Sequence, residues 1–417
     1  MLPVMWISAM YMKTYRFPII DVFHFLPASN EAGFLWLLAA APIKKPLWFG
    51  KDICFMSYDN STSSRALLTK LGITEYLNTP GVTEVLINRP GEIFLEDASG
   101  FRRIERPDLG YAVLEKLAST LCIYNKKKLG YAEPIHSVTL PEGERCHVMI
   151  PPSCEAGTVV FAFRKPSNTR FSIEDYRQTG RLNGFADVSK HGTAKESSIE
   201  IDCRQMRDVC DKMKLPHDVR LADWQYEMLK HKADGDLNAF FQTAIEHKLN
   251  ICMVGGTGSG KTTFTKALAD MIPPATRILT IEDTHELSLP NHPNHAHLFY
   301  NNIHITAKMI IAACMRLKPD RIFLTELRGD EAWDYLSALN TGHPGGLTSV
   351  HANDARSVHY RIAQLAKESA TGQTMDYDYI LNTVRSTIDV VCFFNKTYMT
   401  ELYYDPVEKF YAMSGRA

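Results

Sequence analysis

The stretch Leu249-Asn250-Ile251-Cys252-Met253-Val254-Gly255-Gly256-Thr257-Gly258-Ser259-Gly260-Lys261-Thr262 reads as strand, loop and helix start. An apolar run, Leu249–Val254, enters a segment, 255–262, that fits G-x-x-x-x-G-K-[ST] at every fixed position. A helical stretch from Thr263 to Met271 follows and stops at Pro273-Pro274. The glycines let backbone N–H groups close around phosphate oxygens where a Cβ would block the turn. The start of the helix adds positive dipole. Gly255, Gly256, Thr257, Gly258, Ser259, Gly260, Lys261, Thr262 and Thr263 are therefore the candidate nucleotide contacts. Lys261 is expected to reach the β- and γ-phosphates, and Thr262 to ligate Mg²⁺.

Outward from this loop, the chain has the bulk and composition of a folded protein. Its 417 residues suffice for two ordinary domains, and 45% apolar with 22% charged residues matches a soluble globular chain. A formal net charge of −1 gives no global basic field for nucleic acid. Nine cysteines are scattered without a C-x-x-C pair, which reads as reduced thiols in a cytosolic protein rather than a disulfide framework or zinc site. No apolar run reaches the roughly 18 residues that a membrane span needs.

Residues 1–60 are rich in Trp, Phe, Met and Pro without clean periodicity, so Met56 is expected to be the true start; an amphipathic arm is the alternative. Residues 61–165 read as a small α+β domain with an antiparallel sheet. Helices are expected over Arg65–Leu77 and Tyr111–Cys122. Short strands are expected at Glu84–Ile87, Glu92–Glu96, Phe101–Ile104, Val138–Leu140, Arg145–Ile150 and Thr158–Phe163, split by turn sequences such as Asn88-Arg89-Pro90-Gly91. Residues 166–235 read as a long polar linker with short helices at Ile173–Thr179 and Gln205–Met213. Residues 236–417 alternate strand and helix patterns, which implies a parallel-type sheet with helices on both faces.

In open α/β sheets ligands bind at the carboxyl ends of strands. Strand Arg321–Thr325 ends in Glu326, a carboxylate able to orient or deprotonate an attacking water; a salt bridge to Arg328 is the structural alternative. Strand Arg277–Ile281 ends in Glu282 and Asp283, candidates for positioning a nucleophile and holding Mg²⁺ through water. Strand Gly346–Val350 ends in His351, a candidate γ-phosphate sensor, and His343 is expected to join it at the same edge. His292, His295 and His297 have H-x₂-H-x-H spacing, which matches no standard zinc pattern, and read as loop histidines.

At this point the boxes 255–262, Leu279-Thr280-Ile281-Glu282-Asp283, Leu317-Lys318-Pro319-Asp320-Arg321, Thr325 to Ala332, and Thr341-Gly342-His343 to His351-Ala352-Asn353-Asp354 resemble the secretion ATPase superfamily. Within it the chain looks like the traffic ATPases of type IV secretion systems, over about 61–410. The resemblance implies an α/β chain, a RecA-like P-loop NTPase domain preceded by the small α+β domain. It further implies ATP and Mg²⁺ as ligands, a homo-hexameric ring, and partners among other secretion-system ATPases and inner-membrane channel components. The location implied is cytoplasmic, peripheral to the inner membrane. Arginines of the small domain reach the γ-phosphate in this family, and Arg145 and Arg164 match; Asn88 matches a nucleoside contact. Thr325 departs from the glycine that much of the superfamily carries. A pilus assembly or retraction ATPase, or a type II secretion ATPase, is the alternative, and the missing four-cysteine element counts against the type II branch.

Overall fold

A computed structural model describes residues 61–165, 170–192, 215, 216, 218–301 and 304–415. The expectations for residues 1–60, the start at Met56 among them, and for a helix at Gln205–Met213 lie outside the described residues.

The small sheet has six strands in the order β3-β2-β1-β6-β5-β4. They are β1 (Glu84–Ile87), β2 (Gly91–Asp97), β3 (Gly100–Arg106), β4 (Ile135–Thr139), β5 (Arg145–Met149) and β6 (Val160–Arg164), with every neighbouring pair antiparallel. Alternation buries one face: Val85, Ile87, Ile93, Leu95, Cys146, Val148, Phe161 and Phe163 pack under helices α1 (Ser61–Lys70), α2 (Ile73–Asn78) and α3 (Tyr111–Tyr124). The single helix expected over Arg65–Leu77 is two, because Gly72 takes φ +70 and breaks it. The opposite face carries the alternate residues, including Arg145 and Arg164, which are paired in register.

Past α4 (Ile173–Gln178), β7 (Ala186–Asp187), α5 (Asp223–Asp234) and α6 (Leu237–Glu246) comes the second sheet. Its eight strands run β10-β9-β11-β12-β8-β13-β14-β7. They comprise β8 (Ile251–Gly255), β9 (Ile278–Glu282), β10 (His295–Phe299), β11 (Arg321–Leu324), β12 (Leu347–Val350), β13 (Val390–Asn395) and β14 (Tyr398–Tyr404), beside β7. The strands from β10 to β13 are parallel, and β14 turns back as a hairpin. Four of them, β8, β9, β11 and β12, are buried at every position, as a sheet covered on both faces requires. Helix α7 (Lys261–Asp270) leaves the end of β8, while α8 (Ala307–Cys314), α9 (Glu331–Asn340), α10 (Ser357–Glu368) and α11 (Tyr377–Thr387) contribute to the core of the other face. The cysteines of the described residues are free, and all but Cys154 are buried.

The segment read as a polar linker is packed where it is described. Ile173, Tyr176, Leu182, Leu215, Val219 and Leu221 join the core under the large sheet. β7 extends the sheet beside β14. Behind it the fully buried Lys232 Nζ meets Asp187 Oδ2 at 2.9 Å and donates to Ser189 Oγ and the Tyr404 carbonyl, each at 3.0 Å.

Breaking a buried ion pair from one side strands the other charge. Lys232→Met is therefore expected to cost about 3–5 kcal/mol. Urea unfolding of the wild type and variant measures it, and a loss below about 1 kcal/mol would show that the pair does not hold this segment to the sheet.

Candidate active site

The parallel strands deliver their carboxyl ends to one edge. The loop after β8 is built so that a side chain at its first glycine is excluded. Gly255 sits at φ +142, where a Cβ would lie 2.3 Å from the Phe394 carbonyl oxygen and 2.7 Å from Ser259 Oγ. Gly258 and Gly260 also take positive φ, +70 and +91. Lys261 folds over this loop and donates to the carbonyls of Gly255 and Gly256, each at 2.7 Å. Burial lowers its pKa, and the carboxylate of Glu326 opposes that. Thr262 Oγ1 donates to Glu286 Oε2 at 3.2 Å.

Glu326, Glu286 and Arg164 act electrostatically on the lysine, and further ion pairs link the two carboxylates to their neighbours. Glu326 accepts from Arg328 Nη2 at 2.6 Å and lies 3.1 Å from His351 Nε2, so the structural pairing with Arg328 and a position at the phosphate edge coexist. Burial, with Lys261 beside it, lowers the His351 pKa, and the Glu326 carboxylate opposes that. Strand β12 lies between β8 and β11, so Glu326 and the phosphate loop come from non-adjacent strands. Asp283 accepts from Arg328 Nη1 at 2.6 Å and from Arg145 Nη2 at 2.7 Å. Arg145 Nη2 also meets Glu286 Oε1 at 2.9 Å. Arg145 belongs to the small sheet and these carboxylates to the large one, 138 and more positions later. Arg164, its register partner, lies 3.8 Å from Glu84 Oε1 and close enough to depress the Lys261 pKa electrostatically.

Glu282 stands apart from this group. Its carboxylate is fully buried, and Oε2 accepts the backbone N–H groups of Glu286 and Leu287 at 2.7 and 3.0 Å. Oε1 accepts the Thr280 hydroxyl at 2.6 Å and lies 3.0 Å from His297 Nδ1. Burial alone would raise its pKa; the hydrogen bonds from His297, Thr280 and the two N–H groups outweigh that and hold it below the usual carboxylate value. The geometry makes it the anchor of the loop 283–287.

His343 does not join His351. It precedes β12 and lies within hydrogen-bond distance of the Pro319 carbonyl, 3.2 Å away, whereas His351 follows the strand. Four residues of strand separate the two ends by about 13 Å. The loop reading of the 292–297 histidines also needs correction, since His295 and His297 lie on β10, paired with Ile278 and Thr280 of β9. Asn88 is exposed at the end of β1 opposite Glu84, while Arg164 pairs at the Glu84 end. Sequence reading passed over Glu286 and His285. The spacing Glu282-Asp283-x-x-Glu286 was the available signal, but only the turn after β9 brings Glu286 to Thr262.

Oxygen donors at Thr262, Asp283 and Glu286 suit a hard divalent cation, so the residues present fit Mg²⁺ beside phosphate oxygens.

The chain is also similar to known proteins. A family described as "Type II/IV secretion system protein" matches residues 219–395. The chain is 35% identical over 348 residues to "Type IV secretion system protein VirB11" of Brucella suis biovar 1, covering 80% of this chain and 88% of that protein. The solved structure titled "Crystal structure of the VirB11 ATPase from the Brucella Suis type IV secretion system in complex with sulphate" is 34% identical and covers 86% of this chain and 98% of that one, with TM-score 0.45. "Crystal Structure of the Pilus Retraction Motor PilT and Bound ADP" is 14% identical, covers 83% and 86% and has TM-score 0.50, a likeness of fold. Identity at this level over most of both chains decides the family. The chain belongs to the VirB11 family of type IV secretion ATPases, and it is an enzyme that binds nucleotide and hydrolyses ATP.

The Glu282 anchor has a pH signature. A carboxyl held below its unfolded value of 4.5 contributes stability that is fully present above pH 4.5 and is lost as pH falls through the folded value. Glu282→Gln should lower stability at pH 7 and flatten the acid limb of the stability curve. An acid limb identical in both proteins would show that the carboxylate is not the anchor.

Proposed function

We propose that this VirB11-family ATPase works as a ring subunit in which ATP clamps the small sheet onto the phosphate-loop edge and hydrolysis releases it. The observation that carries this reading is Arg145, a small-sheet side chain that reaches Asp283 and Glu286 beside Thr262. A guanidinium so placed is within one side-chain swing of a γ-phosphate held by Lys261. ATP would exchange the carboxylate partners of Arg145 for phosphoryl oxygens, two of which a planar fork can meet at once. Arg164, alongside in register, would supply the second positive charge.

In this reading the N–H groups of 255–260 cradle the β-phosphate and Lys261 spans the β- and γ-oxygens. Thr262 and Asp283 would hold Mg²⁺, which would supply charge neutralisation at the phosphates. Glu326, oriented by His351 and Arg328, positions the attacking water and takes its proton. The water oxygen bonds to the γ-phosphorus, the bond to the bridging oxygen breaks, and ADP leaves with the electron pair. Glu286, bound to Thr262 and Arg145 together, is a second carboxylate within the site and shares the positioning. Glu282 acts through the loop that carries Asp283 and Glu286. The nucleoside contact of Asn88 rests on the family resemblance alone.

The partners we infer are further copies of this chain in a hexamer, other ATPases of the secretion system and inner-membrane channel components. Near-neutral charge supports no direct nucleic-acid contact. No helix among the described residues is long and apolar enough to cross a membrane, in keeping with peripheral attachment at the cytoplasmic side.

Two measurements test the clamp and the chemistry. Arg145→Ala should leave ADP affinity almost unchanged and weaken a non-hydrolysable ATP analogue by about 1.5–3 kcal/mol, the range for a hydrogen bond to a charged group. Equal analogue affinities in wild type and variant would remove Arg145 from the γ-phosphate. Glu326→Gln and Glu286→Gln should each bind the analogue yet turn over about 10²-fold more slowly. Normal turnover in either excludes that carboxylate from the reaction.

A further inference from the structure

We propose that Glu282, His285 and His297 form a binding site for one divalent transition-metal ion of the zinc type. The three side chains converge from the end of β9, the turn after it and the neighbouring strand β10. Glu282 Oε1 lies 3.0 Å from His297 Nδ1 and 3.7 Å from His285 Nδ1, and the three ligand atoms are all within 4.8 Å of one another. Zinc with bonds near 2.1 Å separates tetrahedral ligands by about 3.4 Å. The two measured separations bracket that spacing, so small side-chain rotations suffice to close around an ion.

The donor set selects the class of ion. Two imidazoles and one carboxylate suit zinc, cobalt or nickel, whereas magnesium prefers oxygen alone. The supporting contacts are those a metal site uses. Glu282 Oε2 is fixed by two backbone N–H groups, while Oε1 accepts the Thr280 hydroxyl and faces the two histidines with its orientation set. His297 is held beside β9 by register and approaches Thr280 Oγ1 at 2.7 Å. His285 stacks edge-on against both His297 and Phe299, and its side chain is 54% exposed, which opens a route from solvent. The proton that His297 shares with Glu282 is what the ion would replace. Sequence spacing hides the trio, because H-x₂-H-x-H at 292–297 contains only one of its members.

Occupied, the site would tie β10 to the anchor of the loop 283–287, so it lies beside the phosphate edge without using any side chain assigned to phosphate. It stands whether or not the roles proposed for Arg145, Glu286 and Glu326 hold.

The test uses the full chain without an affinity tag, stripped with chelator and free of nucleotide, titrated with Zn²⁺ by calorimetry and by dialysis with metal analysis. One equivalent per chain and a raised Tm are expected. His285→Ala and His297→Ala should each weaken binding at least about 10-fold, while His304→Ala, an exposed histidine outside the trio, leaves it unchanged. Excess Mg²⁺ should not compete. The ligand-field spectrum of bound Co²⁺ should change in His285→Ala, a readout independent of stability. A wild type that takes up no stoichiometric Zn²⁺, or a double histidine variant that binds as wild type does, overturns the assignment.

Discussion

Asp283 accepts hydrogen bonds from two guanidinium groups that arrive from opposite directions. Arg328 comes from the turn after β11, within the same sheet, and Arg145 comes from the small sheet. One carboxylate thus joins the two lobes and also tethers the arginine that orients Glu326. Such a junction is only partly exposed, so its charges are neither screened as in water nor costly as in a dry core. An intermediate environment of this kind favours exchange. A partner of higher charge density can displace Asp283 from Arg145 without an unpaired buried group being left behind.

What makes the junction possible is a rigid support beneath it. Glu282 spends its four close contacts on Thr280, His297 and the N–H groups of Glu286 and Leu287. The turn after β9 is therefore shaped by a buried charge rather than by glycine or proline. On the other side of β12, the phosphate loop is shaped by exclusion, with Gly255 pressed against the backbone of β13. Two neighbouring turns at one sheet edge reach their geometry by opposite physical means.

Much of this was legible in the sequence. The parallel strands β8, β9, β11 and β12 are apolar runs bounded by turn residues, and a run buried on both faces declares itself. The meander β1–β3 announced itself through Asn88-Arg89-Pro90-Gly91 and Ala98-Ser99-Gly100. β14 did not, because its turn uses Lys396 and Thr397, both at positive φ with no glycine to mark them. β10 was read as loop because His295-Ala296-His297-Leu298-Phe299, half-buried up to an exposed Phe299 at a sheet edge, lacks alternation. The segment 166–235 looked like a linker because its apolar residues are sparse; Ile173, Tyr176 and Leu182 are nonetheless buried one by one in a core supplied mostly by other elements. His343 and His351 are near in sequence and far in space because a strand runs between them. Arg145 and Asp283 are the reverse, and only tertiary structure reveals their meeting.

The chain between the lobes is fastened first at an unexpected place. Arg170 grips Asp270, the last residue of α7, through two ion-pair contacts and bonds Ser288 as well, before β7 reaches the far edge of the sheet beside β14. Helix α7 begins at Lys261 and is ten residues long, a stiff rod of about 15 Å. Its tail is therefore the tether point of the small lobe and its head is the phosphate grip. A pull applied at Arg170 would therefore act on the far end of the same rod whose first residue is the lysine of the phosphate loop.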